Sequence, residues 1–210
     1  MAYSYILSLL QAYPLDSSPW QHWRNSHPSA NFSNWGFQGL VLPGINLADL
    51  QLIGSEWWNS NLQGANLQRA NLMGADLRSV NLQGADLRSA NLIGANLRGA
   101  NLKEADLTQA QLQRCNLSEV EGVDALFQET HLQGANLSQG NWVGASFYRA
   151  NLTETIARHG FFTAVQAYGS QWCHADLSYS DFRWAQLRQS NFQGAILTAT
   201  RGLGHVLNSV

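Results

Sequence analysis

A bulky apolar residue recurs at every fifth position of this chain, in one unbroken phase from Phe32 to Leu197. Of the 34 positions in this phase, 31 are Leu, Phe or Trp, and the exceptions are Gly122, Ala157 and Ala167. A period of five matches neither the helical spacing of three and four nor the strand spacing of two. A fixed short repeat of this kind is typical of a solenoid, whose stacked coils bury one continuous core.

The other positions of the repeat indicate how such a coil closes. A small residue stands two positions before each bulky one, and nine of the ten such positions from Ala65 to Ala110 are Ala. We expect both to point inward, because several edges converge on a narrow axis that a second Leu would overpack. Asn or Asp usually stands between them and suits a tight turn, since its side chain hydrogen-bonds nearby backbone groups. Backbone amides are expected to pair with the coils before and after.

The segment 65–74 reads Ala-Asn-Leu-Gln-Arg-Ala-Asn-Leu-Met-Gly and resembles the A-(D/N)-L-x-x repeat of the pentapeptide-repeat family. The resemblance covers roughly residues 45–200. It implies an all-β fold, a right-handed four-sided (quadrilateral) parallel β-helix solenoid, and we add a short helical N-terminal cap. With coils about 4.8 Å apart, the rod would be on the order of 40 Å long. The family has no shared catalytic set, so this fold says little about function.

We divide the chain into a helical or irregular capping segment over 1–29, a repeat body over 30–201 and a tail over 202–210. Within the first segment, residues 1–13 are typical of a short helix that ends at Pro14. Ser18 and Pro19 resemble the start of a second helical turn. We expect this segment to cover the open first coil, whose bore and edge amides would otherwise be exposed.

Three stretches of the body depart from the regular repeat. Bulky residues replace Ala at inward positions within 30–59, which predicts distorted coils there. At 120–124 the central residue is Gly122, which predicts a bulge or bent edge. Over 154–170 the inward residues Ala157, Phe162 and Ala167 fill the axis poorly. Two interpretations of that stretch stay open, an irregular turn of the solenoid and a projecting loop with a short helix.

Sequence motifs for chemistry are missing. The chain has no phosphate-binding glycine loop, no H-E-x-x-H and no C-x-x-C. Its histidines are scattered without metal-ligand spacing, and the neighbours Cys173 and His174 would point to different sides of an extended edge. We therefore predict a protein that is not an enzyme and has no cofactor and no metal site.

The net charge and the cysteine content limit which binding partners and which cellular compartment we expect. The net charge of −2 gives no sign of a nucleic-acid binder. Cys115 falls on an inward position and predicts a buried thiol, and the absence of a disulfide framework favours a reducing compartment. No apolar run approaches the length of a transmembrane helix, and the start of the chain does not resemble a signal peptide. We expect a cytoplasmic protein and leave open a peripheral association with a membrane complex.

Outward side chains should form ladders, because residues one coil apart lie above one another. One ladder begins with the apolar residues Ile53, Met73 and Ile93, which predicts a docking stripe. A second candidate surface consists of outward Tyr, Trp and Arg residues in the C-terminal third, the residue types enriched at interface hot spots. Its members are Tyr148, Tyr168, Tyr179, Arg183, Trp184 and Arg188.

These features favour a non-catalytic scaffold or adaptor that binds another protein, as an assembly or structural factor of a larger complex. The first alternative is a DNA mimic that binds a type II topoisomerase, as relatives implicated in quinolone resistance do. That alternative is disfavoured by the near-neutral charge. Those relatives tend to dimerise through a C-terminal helix, and residues 201–205 are too short and Gly-rich to form one. A dimer is still an open alternative, because the final edges of two chains could pair end to end. An enzyme is the weakest alternative.

Overall fold

The chain forms stacked coils of four edges each. A computed structural model describes residues 2–204, and for residue 2 the backbone only. Parallel single-residue bridges join every fifth residue to the residue twenty positions later, from the pair Asn31 and Gln51 to the pair Asp181 and Arg201. Within 2–204 no strand is longer than one such bridge residue. The register between coils is therefore constant along the whole body.

Each N–H group of a regular repeat finds an acceptor, as residues 71–75 show. The N–H groups of Asn71, Leu72 and Gly74 donate to carbonyls of neighbouring coils at 2.9, 2.7 and 3.0 Å. Ala75 N–H donates to the carbonyl of Leu72 at 3.0 Å and closes the corner. Met73 N–H donates to Asn71 Oδ1 at 3.4 Å. The repeated Asn thus stabilises the turn through its side chain, as the sequence predicts.

Successive edges meet at corners of two residues, such as 73–74. The second residue of every corner, from Asn34 to Ala199, has a positive φ. Twenty-two of these residues are not glycine. A left-handed backbone costs an L-residue about 1–2 kcal/mol, so the corner bond and the bonds between coils must hold it there. The glycines in the sequence therefore mark only some of the corners.

The core is a continuous file of inward side chains. Leu and Ala fill its middle, and residues 62–117 have every central Leu at 0–1% exposure. Aromatic rings replace Leu towards both ends and stack on the ring one coil away along the same edge. Phe37 and Trp57 have ring centroids 4.3 Å apart, and Phe162 and Phe182 have centroids 4.7 Å apart. These separations match the spacing of adjacent coils, about 4.8 Å.

Two helices precede the coils. Helix α1 spans Ala2–Ala12 and α2 spans Ser18–Ser26, with a proline in its first turn. Ile6 and Trp20 belong to the same buried cluster as the inward residues of the first coils. The Tyr3 hydroxyl donates to the carbonyl of Gly36 at 3.1 Å, and its ring packs edge-on against Trp35 with centroids 4.9 Å apart. Both helices therefore lie against the first coils.

The predicted distortion over 30–59 is wrong, because the bridges keep their register from Asn31 onward. Ile45 and Leu50, which stand where regular repeats have Ala, are fully buried. Trp35 and Leu40, in the first coil, are half-buried and pack against the core cluster. The larger residues are accommodated in part because the first coil has helices, and not another coil, on its outer side.

No bulge forms at 120–124. Glu121 bridges both neighbouring coils, and Gly122 N–H donates to the carbonyl of Asn141 at 2.8 Å, as in a regular repeat. The space left by the missing side chain is occupied from the next coil, because a Cβ atom on Gly122 would lie 2.5 Å from Cε3 of Trp142. A large residue one coil away thus compensates for the glycine.

The stretch 154–170 is a regular turn of the solenoid, so the projecting loop is the wrong one of the two interpretations. Its residues bridge to the coils on both sides without a shift in register. Ala157 and Ala167 stand on opposite edges of this coil, and Phe162 and Trp172 stand on the other two. The rings of Phe162 and Trp172 meet across the bore with centroids 5.5 Å apart. Two large residues facing each other thus balance two small ones.

The tail prediction over 202–210 lies largely outside the described residues. Leu203 is buried at 3% exposure although it follows the last bridge residue, Arg201. A side chain at Gly202 would collide with the backbone of Phe182 and Arg183. The glycine allows the chain to turn inward, and Leu203 covers part of the last coil.

Candidate protein-docking surfaces

Outward side chains stand at the corners and at the bridge positions of the coils. The corners are numbered here from residues 53–54, so that the second begins at 58, the third at 63 and the fourth at 68. Each corner recurs every twenty residues, and equivalent residues lie one above another.

The apolar stripe lies on the first corner. Met73 is exposed, and Ile53 and Ile93 are half-buried. Glycine follows each of the three residues in the sequence. The surface is therefore open beside Met73 and Ile93, whereas the side chain of Asn34 lies over Gly54 beside Ile53.

The six C-terminal residues named above do not form one cluster. Tyr148, Tyr168 and Arg188 share the fourth corner, where the two tyrosine rings stack with centroids 5.8 Å apart. The guanidinium of Arg149 lies 5.2 Å from the ring centroid of Tyr148. No acidic residue stands at this corner or at the adjoining bridge positions between residues 130 and 204. This corner is aromatic and basic.

The other three residues lie on two further corners. Tyr179 stands on the second corner and stacks on His159, with ring centroids 4.9 Å apart and planes 6° from parallel. Arg183 and Trp184 form the third corner, where the Arg183 guanidinium lies 5.4 Å from the ring of Trp184. Trp184 is 74% exposed, so its indole is held by little else.

Bridge positions supply apolar surface that the sequence reasoning missed. Regular repeats carry Asn or Asp there, but Ile156, Phe161 and Ile196 occupy three of these positions and are exposed. Together with Tyr179 and His159 they surround the C-terminal part of the second corner, and we call these five residues the apolar corner. The signal was available in the sequence, as large apolar residues at positions where the repeat has Asn or Asp.

Two arginines beside the apolar corner are paired within the molecule, whereas Arg201, which lines a cleft with Phe161 and Tyr179, has no ion pair among residues 2–204. Arg158 Nη2 lies 2.6 Å from Asp176 Oδ2, and Arg183 Nη2 lies 2.6 Å from Asp181 Oδ2. Hydrogen bonds from Arg183 hold the pKa of Asp181 below its ordinary value. Burial alone would raise the pKa of Asp176, but hydrogen bonds from Ser178 and Arg158 outweigh it and the pKa is lowered.

The second corner also carries two stacked arginines, Arg78 and Arg98, whose positive charges are neutralised by acidic side chains in the same way. Arg78 Nη2 lies 2.5 Å from Asp76 Oδ2, and Arg98 Nη2 lies 2.9 Å from Glu119 Oε1. The hydrogen bonds from Arg78 lower the pKa of Asp76. This stretch of the rod presents ion pairs and no strong field of either sign.

Chemically reactive groups are either buried or dispersed. Cys115 Sγ donates to the carbonyl of Leu92 at 2.7 Å, and burial raises the pKa of this thiol to about 12. Cys173 is half-buried, beside the exposed His174. Residues 2–204 contain no cluster of three or more His, Cys, Asp or Glu residues that could hold a metal ion.

The sequence model of the family "Pentapeptide repeats" matches this chain with eight copies of the repeat, over residues 44–118 and 125–201. The chain belongs to the pentapeptide repeat family. Pentapeptide repeat proteins fold as right-handed quadrilateral β-helices and are in general non-catalytic scaffold or interaction proteins. No functionally curated protein matches the sequence of this chain.

Solved structures of other pentapeptide repeat proteins resemble this rod. HetL, involved in heterocyst differentiation regulation in the cyanobacterium Nostoc sp. strain PCC 7120, is 26% identical, with 85% of this chain and 91% of HetL covered and a TM-score of 0.29. QnrB1, a plasmid-mediated fluoroquinolone resistance protein, is 16% identical, with 79% and 87% covered and a TM-score of 0.52. A protein of the Arabidopsis thaliana thylakoid lumen is 28% identical, with 50% and 69% covered and a TM-score of 0.38. The likeness to QnrB1 shows the fold alone.

Within residues 2–204 of this pentapeptide repeat protein, neither helix is long and apolar enough to cross a membrane.

Proposed function

We propose that this pentapeptide repeat protein is a non-catalytic scaffold or adaptor that docks another protein on the apolar corner. The observation that carries the proposal is the exposure of Phe161, Tyr179, Ile156 and Ile196 at 55%, 57%, 44% and 51% on neighbouring positions of one corner. Clustered exposed apolar side chains mark interaction sites on soluble proteins, and here only the bridge residue Asp176 stands between Ile156 and Ile196. The constant register of the coils makes the corner a rigid surface, so little ordering is needed on binding.

Three further surfaces complete the proposal. The stripe of Ile53, Met73 and Ile93 offers a flat apolar surface near the other end of the rod. The fourth and third corners offer Tyr148, Tyr168, Arg188, Arg183 and Trp184, residue types enriched at interface hot spots. A rod with separate surfaces suits the assembly or bracing of a larger complex. We place the protein in the cytoplasm, and the peripheral association with a membrane complex is part of the same proposal.

The test is a comparison of partner binding by variants that restore the ordinary residue of the repeat. Phe161→Asn and Ile156→Asn place the regular amide at the bridge position, and Tyr179→Asn keeps a residue type that tolerates positive φ. A complex isolated from the native host identifies the partner by mass spectrometry, and purified components then give the Kd. We expect each variant to weaken binding at least tenfold with the melting temperature within a few degrees of the wild type.

Met73→Gln tests the stripe in the same assay, because it removes one exposed apolar side chain from a different corner. Loss of binding in this variant, with the three apolar-corner variants unaffected, would assign docking to the stripe. Unchanged affinity in all four variants would contradict both surfaces.

A further inference from the structure

The guanidinium of Arg24 is buried where helix α2 meets the coils. Arg24 is 6% exposed. Its Nη1 donates to the carbonyl of His27 at 3.0 Å, and its Nη2 donates to the carbonyl of Ala48. The Nε–H group has no acceptor. An arginine side chain carries five N–H donors, so the described contacts satisfy only part of this group.

The buried charge also lacks a counter-ion among residues 2–204. No Asp or Glu oxygen lies within ion-pair distance of Arg24. Asp49 is near enough to interact electrostatically, but its two carboxylate oxygens accept hydrogen bonds from Arg69 at 2.7 and 2.8 Å. A buried charge that is compensated only by this longer-range attraction, without a direct ion pair, is unfavourable. An anion from outside would remove that penalty.

A cleft gives such an anion access to Arg24. It lies between the two helices and an early coil, and its volume is about 330 Å³. The remaining lining residues carry neutral amide or phenol groups or, in one case, no side chain. They are Tyr13, Gln21, Asn25, Gly44 and Asn46. No acidic side chain lines the cleft to repel a negative ligand, and the amides add hydrogen-bond donors.

We propose that this cleft binds a carboxylate group through Arg24. A planar carboxylate matches the guanidinium fork, which can donate two parallel hydrogen bonds. The described lining contains a single positive charge, so a monoanion is neutralised, whereas a phosphate dianion would retain excess negative charge. The volume accommodates more than an acetate ion. The carboxylate therefore belongs to a small organic acid or to the C-terminus of another polypeptide, and both present the same chemistry.

A purely structural Arg24, which only ties α2 to the carbonyl of Ala48, makes a different prediction. Such a latch would stabilise the helix equally in any salt. Carboxylate binding instead stabilises the folded chain in proportion to ligand occupancy, because the cleft exists only in the folded state.

The experiment is a titration of the full chain with sodium acetate, against sodium chloride at equal ionic strength. We expect acetate to raise the melting temperature and to shift the Arg24 Nε–H and Trp20 indole resonances in NMR spectra with one saturable Kd. Arg24→Gln should weaken this Kd at least tenfold, and Arg24→Lys should weaken it less. Arg98→Gln, which removes an exposed arginine from a distant corner, should leave it unchanged.

The variants need a check on folding, because Arg24 also holds α2. The NMR signal of the Trp20 indole, which donates to the carbonyl of Asn46 at 3.3 Å, reports whether the helix stays docked. A docked Arg24→Gln variant that still binds acetate would overturn the proposal. So would equal effects of acetate and chloride on the wild type, or tighter binding of inorganic phosphate than of acetate.

The source of the carboxylate is separated with two peptides of the same sequence, one with a free C-terminus and one amidated. Tighter binding of the free peptide than of acetate, with loss on amidation, supports a polypeptide C-terminus. Tighter binding of a small dicarboxylate such as succinate, with no gain from the peptide, supports a free organic acid. Because Arg24 lies far from the apolar corner in the sequence and at the other end of the rod, failure here leaves the docking proposal intact.

Discussion

The indole of Trp142 occupies the space that a side chain at Gly122 would need, although the two residues belong to different coils. A Cβ atom on Gly122 would lie 2.5 Å from Cε3 and 2.6 Å from Cζ3 of that indole. Both residues occupy central positions of the same edge, twenty residues apart. The pair keeps the volume of the core nearly constant where the leucine repeat is interrupted.

Replacement of Gly122 by Leu restores the repeat in sequence and should nevertheless destabilise the protein. The new side chain would overlap the Trp142 ring, and overpacking of a core costs about 1–3 kcal/mol. Trp142→Leu alone should also destabilise, because it leaves a cavity above the glycine. The double variant should recover most of the loss, and urea unfolding of all four proteins measures the coupling. Additive losses would show that the two residues are independent.

The buried indole of Trp172 should depend on Ser170. Trp172 Nε1 donates to Ser170 Oγ at 2.7 Å, and both residues are fully buried. Ser170→Ala leaves the indole N–H without an acceptor, so we expect a loss of about 1–3 kcal/mol in unfolding free energy.

Trp172→Phe removes the donor, so Ser170→Ala should cost less in that background. The pair Ser55 and Trp57, with the same bond at 2.8 Å, offers a second test at the other end of the rod. An equal cost of Ser170→Ala in both backgrounds would argue against the hydrogen bond as its cause.

The two cysteines should differ in their reactivity towards thiol reagents. Cys115 is fully buried, and burial raises its pKa to about 12, so its thiolate is scarce and inaccessible. Cys173 is half-buried at a corner. With an excess of a disulfide reagent at neutral pH, we expect Cys173 to react in the native protein and Cys115 only after unfolding. Mass spectrometry of the labelled peptides distinguishes the two, and rapid native labelling of Cys115 would contradict its placement.

Asp86 should contribute to stability at neutral pH and lose that contribution in acid. Hydrogen bonds from the Arg88 side chain lower its pKa to about 2 in the folded chain. Since the folded pKa lies below the unfolded one, the stabilisation is present above about pH 4 and disappears as the pH falls towards 2. The ion pair is largely exposed, so the effect should be small.

Asp86→Asn removes the titration and keeps an oxygen that can accept the Arg88 N–H bond. The difference in stability between wild type and variant should therefore shrink between pH 4 and pH 2. A carboxyl NMR titration gives the pKa directly, and an ordinary value for Asp86 would contradict the hydrogen bond with Arg88.

Much of the fold could be predicted from the sequence, because the repeat is local. Every repeat carries its own bulky residue, small residue and turn residue, and the bonds within residues 71–75 recur along the body. The same reasoning was wrong at Gly122 and could not decide between a solenoid turn and a projecting loop over 154–170, because a repeat taken alone looks underfilled at both places. Those repeats are completed by Trp142 and by the facing pair Phe162 and Trp172, which no single repeat contains.

The candidate surfaces show the same division. The sequence placed Tyr148, Tyr168 and Arg188 on one ladder, since residues twenty apart stack. The same spacing relates Tyr179 to His159, and the exposed Phe161 and Ile196 occupy bridge positions beside their corner, but the sequence reasoning overlooked both.

By itself, then, the sequence determined the period of the solenoid, the inward file of side chains and the solvent-facing ladders, because these follow from short-range spacing. The tertiary structure alone decided which irregular repeats keep the register and which side chains fill the gaps between coils. The physical reason is that core volume is conserved between coils and not within a repeat. A gap left by one residue is filled by a side chain about 4.8 Å above it, at a distance of twenty residues along the chain.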